Sequence, residues 1–216
     1  MTTAILNPPA AVDAQSADEP LFSSAHAALT FAFNYSAQAY DRPTMARMAE
    51  KAAGGSVHSG KRLAGIDGAG QAGIILGKVA KLWRFHQAII VCRFAPQTCE
   101  CRSCGGAVDS HDWLGAVREV SDVAVTAALS AHPTARVLRD AIVARHFGKK
   151  ILLSDAAARA DVSAATATNH NKLIVSWLRG SRTVKGTGAQ RDAGVIGEEA
   201  RAMHHITDLL LTSHLC

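Results

Sequence analysis

Aromatic residues and charged residues are both scarce in this sequence of 216 residues. Phe, Trp and Tyr make up 5% of it and charged residues 19%, whereas hydrophobic residues reach 48%. A β-sandwich draws on aromatic and β-branched side chains, while alanine, which is abundant here, is the strongest helix former. The composition therefore predicts a mainly α fold, a compact multi-helix protein with a core of its own.

Two kinds of segment are also missing. No apolar run approaches the length that a transmembrane helix needs, and the N-terminus has no basic stretch followed by an apolar core, as a secretory signal would. Five cysteines, an odd number and mostly clustered, do not form the pattern of a disulfide framework. We therefore expect a protein of a reducing cytoplasm that has no membrane partner.

Three of the five cysteines fall within six residues. Cys99, Cys101 and Cys104 are followed by a Gly-Gly pair. A Cys-x-x-Cys-Gly-Gly turn points two thiolates at one metal ion, and glycine lets the backbone close around sulfur. The spacing predicts a small zinc knuckle that holds one structural zinc ion through Cys99, Cys101, Cys104 and His111.

Alternatives to this ligand set stay open at the level of sequence. The fourth ligand is His111, Cys92 or His86, and His111 also suits a surface or capping position at the start of a helix. Cys92 lies in an apolar run, which is typical of a small buried residue. Two close thiols also serve redox chemistry without any metal.

The net charge of +5 is unevenly distributed. Between Arg136 and Arg191 there are eleven Lys and Arg residues and three Asp residues, so this segment carries +8 and the rest of the chain −3. Such a segment attracts phosphate backbones, although a solvated basic surface has the same composition. Acids are too scarce here to form a carboxylate cluster for metal-dependent chemistry, so we do not expect an enzyme, and a recombinase or nuclease is the least supported function.

Residues 151–178 inside the basic segment resemble a helix-turn-helix. Ser154 is predicted to cap a short first helix. Asp161 tolerates the left-handed backbone of a turn, Val162 plugs the core between the helices, and Ser163 caps the second helix. An ordinary helical hairpin would show the same buried positions, and the surrounding charge favours DNA binding.

The second helix offers a polar face to a DNA groove. Ala167, Ile174 and Leu178 are predicted to face the core, which leaves Asn169 free to pair with adenine and Lys172 free to reach a phosphate. Thr168 suits a thymine methyl group or a phosphate. The predicted DNA-binding residues are Ser163, Ala164, Ala165, Thr168, Asn169, Lys172, Arg179, Arg182 and Lys185, the last three in a flexible stretch after the helix.

Periodicity and turn residues divide the chain into four parts. These are a disordered tail (1–22), a helical part (23–132) with the cysteine-rich knuckle (92–111), the helix-turn-helix part (133–190) and a C-terminal helix (191–216). Helices are predicted over residues 24–40, 43–53 and 67–83, from 112 and from 133 to 147, and over 194–211, with a short helix or strand over 85–95. The predicted core includes Trp83, Val137, Ile196 and Ala200.

Three short segments and one tryptophan, in this order along the chain, resemble features of phage late-gene antitermination proteins of the Q type. They are Phe31-Ala-Phe-Asn-Tyr35, the Gly-rich run from Leu63 to Gly73, Arg93-Phe-Ala-Pro96 with the cysteines just after it, and Trp113. The resemblance covers about residues 25–185. Many Q-type proteins arrange two Cys-x-x-Cys pairs, whereas this chain has one pair and Cys99, so its metal site would be built differently.

The resemblance implies a function and two partners. Q-type proteins carry a zinc-binding insertion and a helical DNA-reading part, and they load onto paused RNA polymerase at a phage promoter. By this resemblance the chain would bind promoter DNA and bacterial RNA polymerase, with or without its sigma factor, and suppress termination. A helix-turn-helix repressor or activator without antitermination activity is the alternative, and the sequence does not reveal the oligomeric state.

Overall fold

The computed structural model describes residues 21–41, 66–101, 103–130, 134–180, 195–213 and 215. The predicted helix over 43–53 and nearly all of the predicted tail lie outside these residues. Phe22, at the end of the predicted tail, is part of the fold, because its amide donates to the Leu215 carbonyl at 3.0 Å and its ring lies 5.2 Å from that of Phe31.

The described residues form eight α-helices and one antiparallel β-hairpin, which confirms the mainly helical prediction. The helices and strands are α1 (Ala25–Asp41), α2 (Ile66–Val79), α3 (Arg84–Phe94), β1 (Thr98–Glu100), β2 (Ala107–Asp109), α4 (His111–Ala127), α5 (Arg136–His146), α6 (Leu153–Arg159), α7 (Ala164–Arg179) and α8 (Glu198–Leu211). Among the described helices, none combines the length and the apolar character needed to cross a membrane.

Four residues predicted for the core are exposed instead, among them Ala200 in the first turn of α8. The helix predicted over 67–83 ends at Val79, so Trp83 lies in the turn before α3 with 65% of its surface exposed. Val137 faces outward from the first turn of α5. Ile196 precedes α8 and is 63% exposed. In each case the residue lies in the first turn of a helix or outside it, where helical periodicity no longer fixes which side is buried.

The core is centred on the pair formed by α3 and α4. Trp113 in α4 is fully buried, and its indole N–H donates to the Cys92 carbonyl of α3 at 3.1 Å. α5 packs on the other side of α4 and carries α6 and α7, while α8 returns to contact α2, α3 and α7. The last helix of the described chain therefore packs both on α7 and on the early helices α2 and α3.

The first turn of α8 binds α3 and α5 through two carboxylates. Glu199 accepts a hydrogen bond from His146 of α5 at 3.2 Å and lies 3.5 Å from a guanidinium nitrogen of Arg93 in α3. Glu198 lies 3.6 Å from Nε2 of His86. The hydrogen bond from His146 and the charges of His146 and Arg93 lower the pKa of Glu199 against the opposing effect of its burial. Charge therefore fixes the start of α8.

α7 and α8 meet where two glycines bring their backbones into contact. Gly180 has a φ of 82° and forms an isolated antiparallel bridge with Ile196. A Cβ atom at Gly180 would lie 2.3 Å from a backbone oxygen, and one at Gly197 would lie 2.2 Å from the carbonyl carbon of Arg179. Only glycine fits at these positions.

Replacing Gly197 with alanine should lower the free energy of unfolding by roughly 2–4 kcal/mol, because the new Cβ atom forces the two backbones apart. Gly77→Ala is the matched control: its Cβ atom meets nothing within 4 Å in α2, so it should stabilise the protein by up to about 1 kcal/mol. Urea unfolding followed by circular dichroism measures both. If the two variants were equally stable, the close contact between the backbones at Gly180 and Gly197 would be contradicted.

The contribution of Glu199 should depend on pH. Its pKa is lowered in the folded state, so the ionised carboxylate stabilises the fold above its ordinary pKa, and this stabilisation is lost as the pH falls through the lowered pKa. Glu199→Gln should cost about 1–2 kcal/mol at pH 7 and progressively less in acid. Urea unfolding between pH 7 and pH 3.5 tests this.

Glu119→Gln provides the control for this series. Glu119 pairs with Arg84 at 3.1 Å, but the Arg84 side chain is 80% exposed, so the pair should contribute less than about 1 kcal/mol. If Glu199→Gln showed the same small, pH-independent effect as Glu119→Gln, the ion pairs at the start of α8 would have no role in stability.

Candidate nucleic-acid interface and cysteine hairpin

The first helix of the predicted DNA-binding segment is α6, and its start differs from the prediction. α6 spans Leu153–Arg159 and has no side-chain cap. Ser154, predicted as the cap, lies inside the first turn, where its hydroxyl donates to Asp155 at 3.2 Å. Ala156 and Ala157 are buried. Small side chains therefore let α6 pack closely on α5 and α7.

The turn between α6 and α7 has the geometry that the sequence predicts. Asp161 has a φ of 52°, in the left-handed region. Val162 is partly buried against the core, and its amide donates to the Ala157 carbonyl at 3.1 Å. Ser163 caps α7, because its hydroxyl oxygen accepts a hydrogen bond from the amide of Thr166 at 3.1 Å. The turn therefore fixes how the N-terminus of α7 is presented.

α7 has one buried face and one polar, exposed face. Ala167, Ile174 and Leu178 are fully buried. The exposed residues include the predicted base-reading set Ala164, Ala165, Thr168, Asn169 and Lys172. Within the described residues, Asn169 and Lys172 make no side-chain hydrogen bond or ion pair, whereas the Thr168 hydroxyl donates to the Ala164 carbonyl at 2.8 Å. The amide of Asn169 and the ammonium of Lys172 are available to a ligand.

The structure sorts the eleven basic residues of segment 136–191 into three groups. Three form ion pairs with acids outside the segment: Arg136 and Arg139 with Asp122, and Lys149 with Asp109 at 2.6 Å. Five are exposed and form no ion pair within 4 Å in the described part of the chain: Arg145, Lys150, Arg159, Lys172 and Arg179. Three lie outside the described residues: Arg182, Lys185 and Arg191.

We call the five unpaired cations the cationic set. Only Lys172 and Arg179 of this set were assigned to DNA from the sequence, and Arg179 was predicted to follow α7, whereas it is the last residue of that helix. Arg145 reaches across from α5 to donate to the Asn171 oxygen of α7 at 3.3 Å. Lys150 lies in the connection before α6, and Arg159 is the last residue of α6. Counting charges by segment could not separate these residues from the paired ones, because the pairing acids lie elsewhere in the chain.

The predicted zinc ligands lie on the β-hairpin and just after it. Cys99 is in β1 opposite Val108, and Cys101 and Cys104 are in the turn between the strands. His111 begins α4 with its ring fully exposed. In the part of the chain that the structure describes, no three His, Cys, Asp or Glu side chains are arranged to hold a metal ion. The structure therefore does not assemble the predicted four-ligand set.

Neither alternative ligand lies in the hairpin. Cys92 is buried in α3, where burial raises the pKa of its thiol, and it behaves as the small core residue that its apolar neighbours indicate. His86 is also buried in α3, and its Nδ1 atom lies 3.1 Å from that of His205. Burial and then the neighbouring His205 lower the pKa of His86.

The turn of the hairpin stabilises one thiolate. The Ser103 hydroxyl lies 3.1 Å from the Cys101 sulfur. The hydrogen bond from this hydroxyl, followed by those from the backbone amides of Ser103 and Cys104, lowers the pKa of Cys101 to about 6. Cys101 is therefore largely a thiolate at neutral pH, which is the form that binds a soft metal ion or reacts as a nucleophile.

Comparison with known proteins found no relative of this chain. No protein-family model matches the chain, and neither a curated protein nor a solved structure gives a significant match. The two surfaces described above, the outer face of α7 with the cationic set and the cysteine hairpin, are therefore interpreted from their own residues.

Proposed function

We propose that this protein binds DNA through the exposed face of α7 and acts in transcription as an antitermination factor. The observation that carries the DNA-binding part is the combination of an unpartnered polar face on α7 with five exposed cations that form no ion pair within 4 Å among the described residues. A helix whose N-terminal half is polar and small enters a major groove, and surrounding cations bind phosphates.

Each exposed residue has a chemical role in this proposal. The Asn169 side-chain amide offers the donor and acceptor that an adenine edge requires. Ala164 and Ala165 let the start of α7 approach the groove, and the capped N-terminus near Ser163 directs backbone amides towards a phosphate. Lys172 and the rest of the cationic set contribute affinity for any duplex.

The antitermination part rests on the resemblance to Q-type proteins. It requires bacterial RNA polymerase, with or without sigma factor, as a second partner beside promoter DNA. DNA binding would raise the local concentration of the protein near a paused polymerase, and contact with the enzyme would then carry the protein into elongation.

A repressor or activator is the second candidate, because an exposed reading helix flanked by cations is all that such a protein needs. The two functions differ in one partner. An antitermination factor binds polymerase as well as DNA, whereas a repressor acts by occupying its site. A binding assay with purified bacterial RNA polymerase separates them.

Asn169→Ala should weaken binding to a duplex selected by this protein from a random pool by about 1–3 kcal/mol and relax the choice at one base pair. Lys172→Ala should instead weaken selected and unselected duplexes equally and reduce the salt slope by about one. Fluorescence anisotropy titrations at several salt concentrations measure both effects.

Lys81→Ala serves as the matched control, since it removes an exposed cation from the turn between α2 and α3. It should leave affinity and salt slope unchanged. Unaltered base preference in Asn169→Ala would show that α7 does not read the bases at this position, and equal effects of Lys81→Ala and Lys172→Ala would remove the case for a localised cationic surface.

In transcription reactions on a template with the selected site near a promoter and a terminator downstream, added protein should increase the fraction of full-length transcript. A template without the site should show no increase, and Asn169→Ala should reduce the effect in proportion to its lost affinity. Lower initiation with unchanged read-through would instead identify the protein as a repressor.

A further inference from the structure

The cysteine hairpin has very little core of its own. All six residues of β1 and β2 are exposed, including Val108 at 42%. Its base is fixed, because the Ser110 amide donates to the Gln97 carbonyl at 2.9 Å and the Gln97 side chain donates to the Phe147 carbonyl at 2.8 Å. A two-stranded hairpin without a buried face is marginally stable in water. Because the strands have no buried face and the base is already fixed, additional stabilisation of the hairpin would have to come from its turn.

The turn has the backbone geometry of a thiolate ligand site. The Cys101 amide donates to the Gly106 carbonyl and the Gly105 amide donates to the Cys101 carbonyl, both at 2.8 Å. Gly105 has a φ of 68°, which reverses the chain. The amides of Ser103 and Cys104 are directed at the Cys101 sulfur. The backbone thus gathers two cysteine side chains at one solvent-facing turn, with hydrogen-bond donors around one sulfur.

A structural zinc ion takes four ligands in a tetrahedron, and this turn supplies two. We infer that Cys101 and Cys104 form one half of a zinc site that a second copy of this chain completes, so that one Zn²⁺ joins two hairpins through four thiolates. Cys104 is exposed and Cys101 is partly exposed on a hairpin whose strands are themselves exposed, so a second hairpin can reach both thiols. A two-fold axis through the metal makes the two halves equivalent.

This inference does not depend on DNA binding and is tested without DNA. Purified full-length protein, reduced and loaded with Zn²⁺, should have twice the 22.7 kDa mass of one chain by light scattering, with one zinc ion per two chains. A strong chelator should return it to the monomer. Substitution of Co²⁺ should give the absorption of a tetrahedral tetrathiolate site.

Cys101→Ser and Cys104→Ser should each abolish the zinc-dependent dimer, with helical content by circular dichroism confirming that the chain still folds. Cys99→Ser is the matched control, because it removes an exposed thiol of the same hairpin outside the turn, and it should keep the dimer and its metal. His111→Ala should keep them also.

Three results would overturn the inference. One zinc ion per monomer, lost in Cys99→Ser or His111→Ala, would establish a site within one chain. A dimer that resists the chelator and dissociates with dithiothreitol would be a disulfide. A reduced chain that takes up neither Zn²⁺ nor Co²⁺ would leave the hairpin without a metal role.

Discussion

The crossing of Gly180 and Gly197 is the constraint on which the placement of α7 depends. Two backbone segments come so close there that a Cβ atom on either glycine would lie within 2.3 Å of a backbone atom of the other segment. This contact ends α7 and begins α8 at fixed points. The carboxylates of Glu198 and Glu199 then fasten the start of α8 to α3 and α5. The C-terminal helix therefore holds the proposed reading helix against the core.

Ion pairing decides which part of the basic surface remains attractive to a polyanion. Asp122 and Asp109 neutralise three of the basic residues in segment 136–191. The cationic set that remains lies on α5, α6 and α7 and in the connection before α6. Because Arg145 is bound to Asn171 on α7, one of its members is also oriented by the proposed reading helix. The charge available to DNA is thus smaller than the sequence count.

The parts of the fold that follow from local rules could be predicted from the sequence. The capping of α7 by Ser163, the left-handed Asp161 and the buried face of α7 depend on neighbouring residues only. The break before Trp83 could not be predicted, because apolar spacing continues through it. Nor could the roles of Gly180 and Gly197, since a close approach of backbones seventeen residues apart leaves no local signal.

The cysteine hairpin is a second case in which the sequence predicts local geometry but not long-range contacts. Spacing alone places Cys101 and Cys104 in one turn, and the structure agrees, but a ligand set also depends on what folding brings to that turn. The hairpin base is joined to the end of α5 by Gln97, and Lys149, next in the chain after α5 and its turn, pairs with Asp109 of β2. The connection that carries Lys150 towards α6 is therefore braced by the hairpin. A metal ion that rigidified the hairpin would also steady this connection, and with it Lys150 of the cationic set.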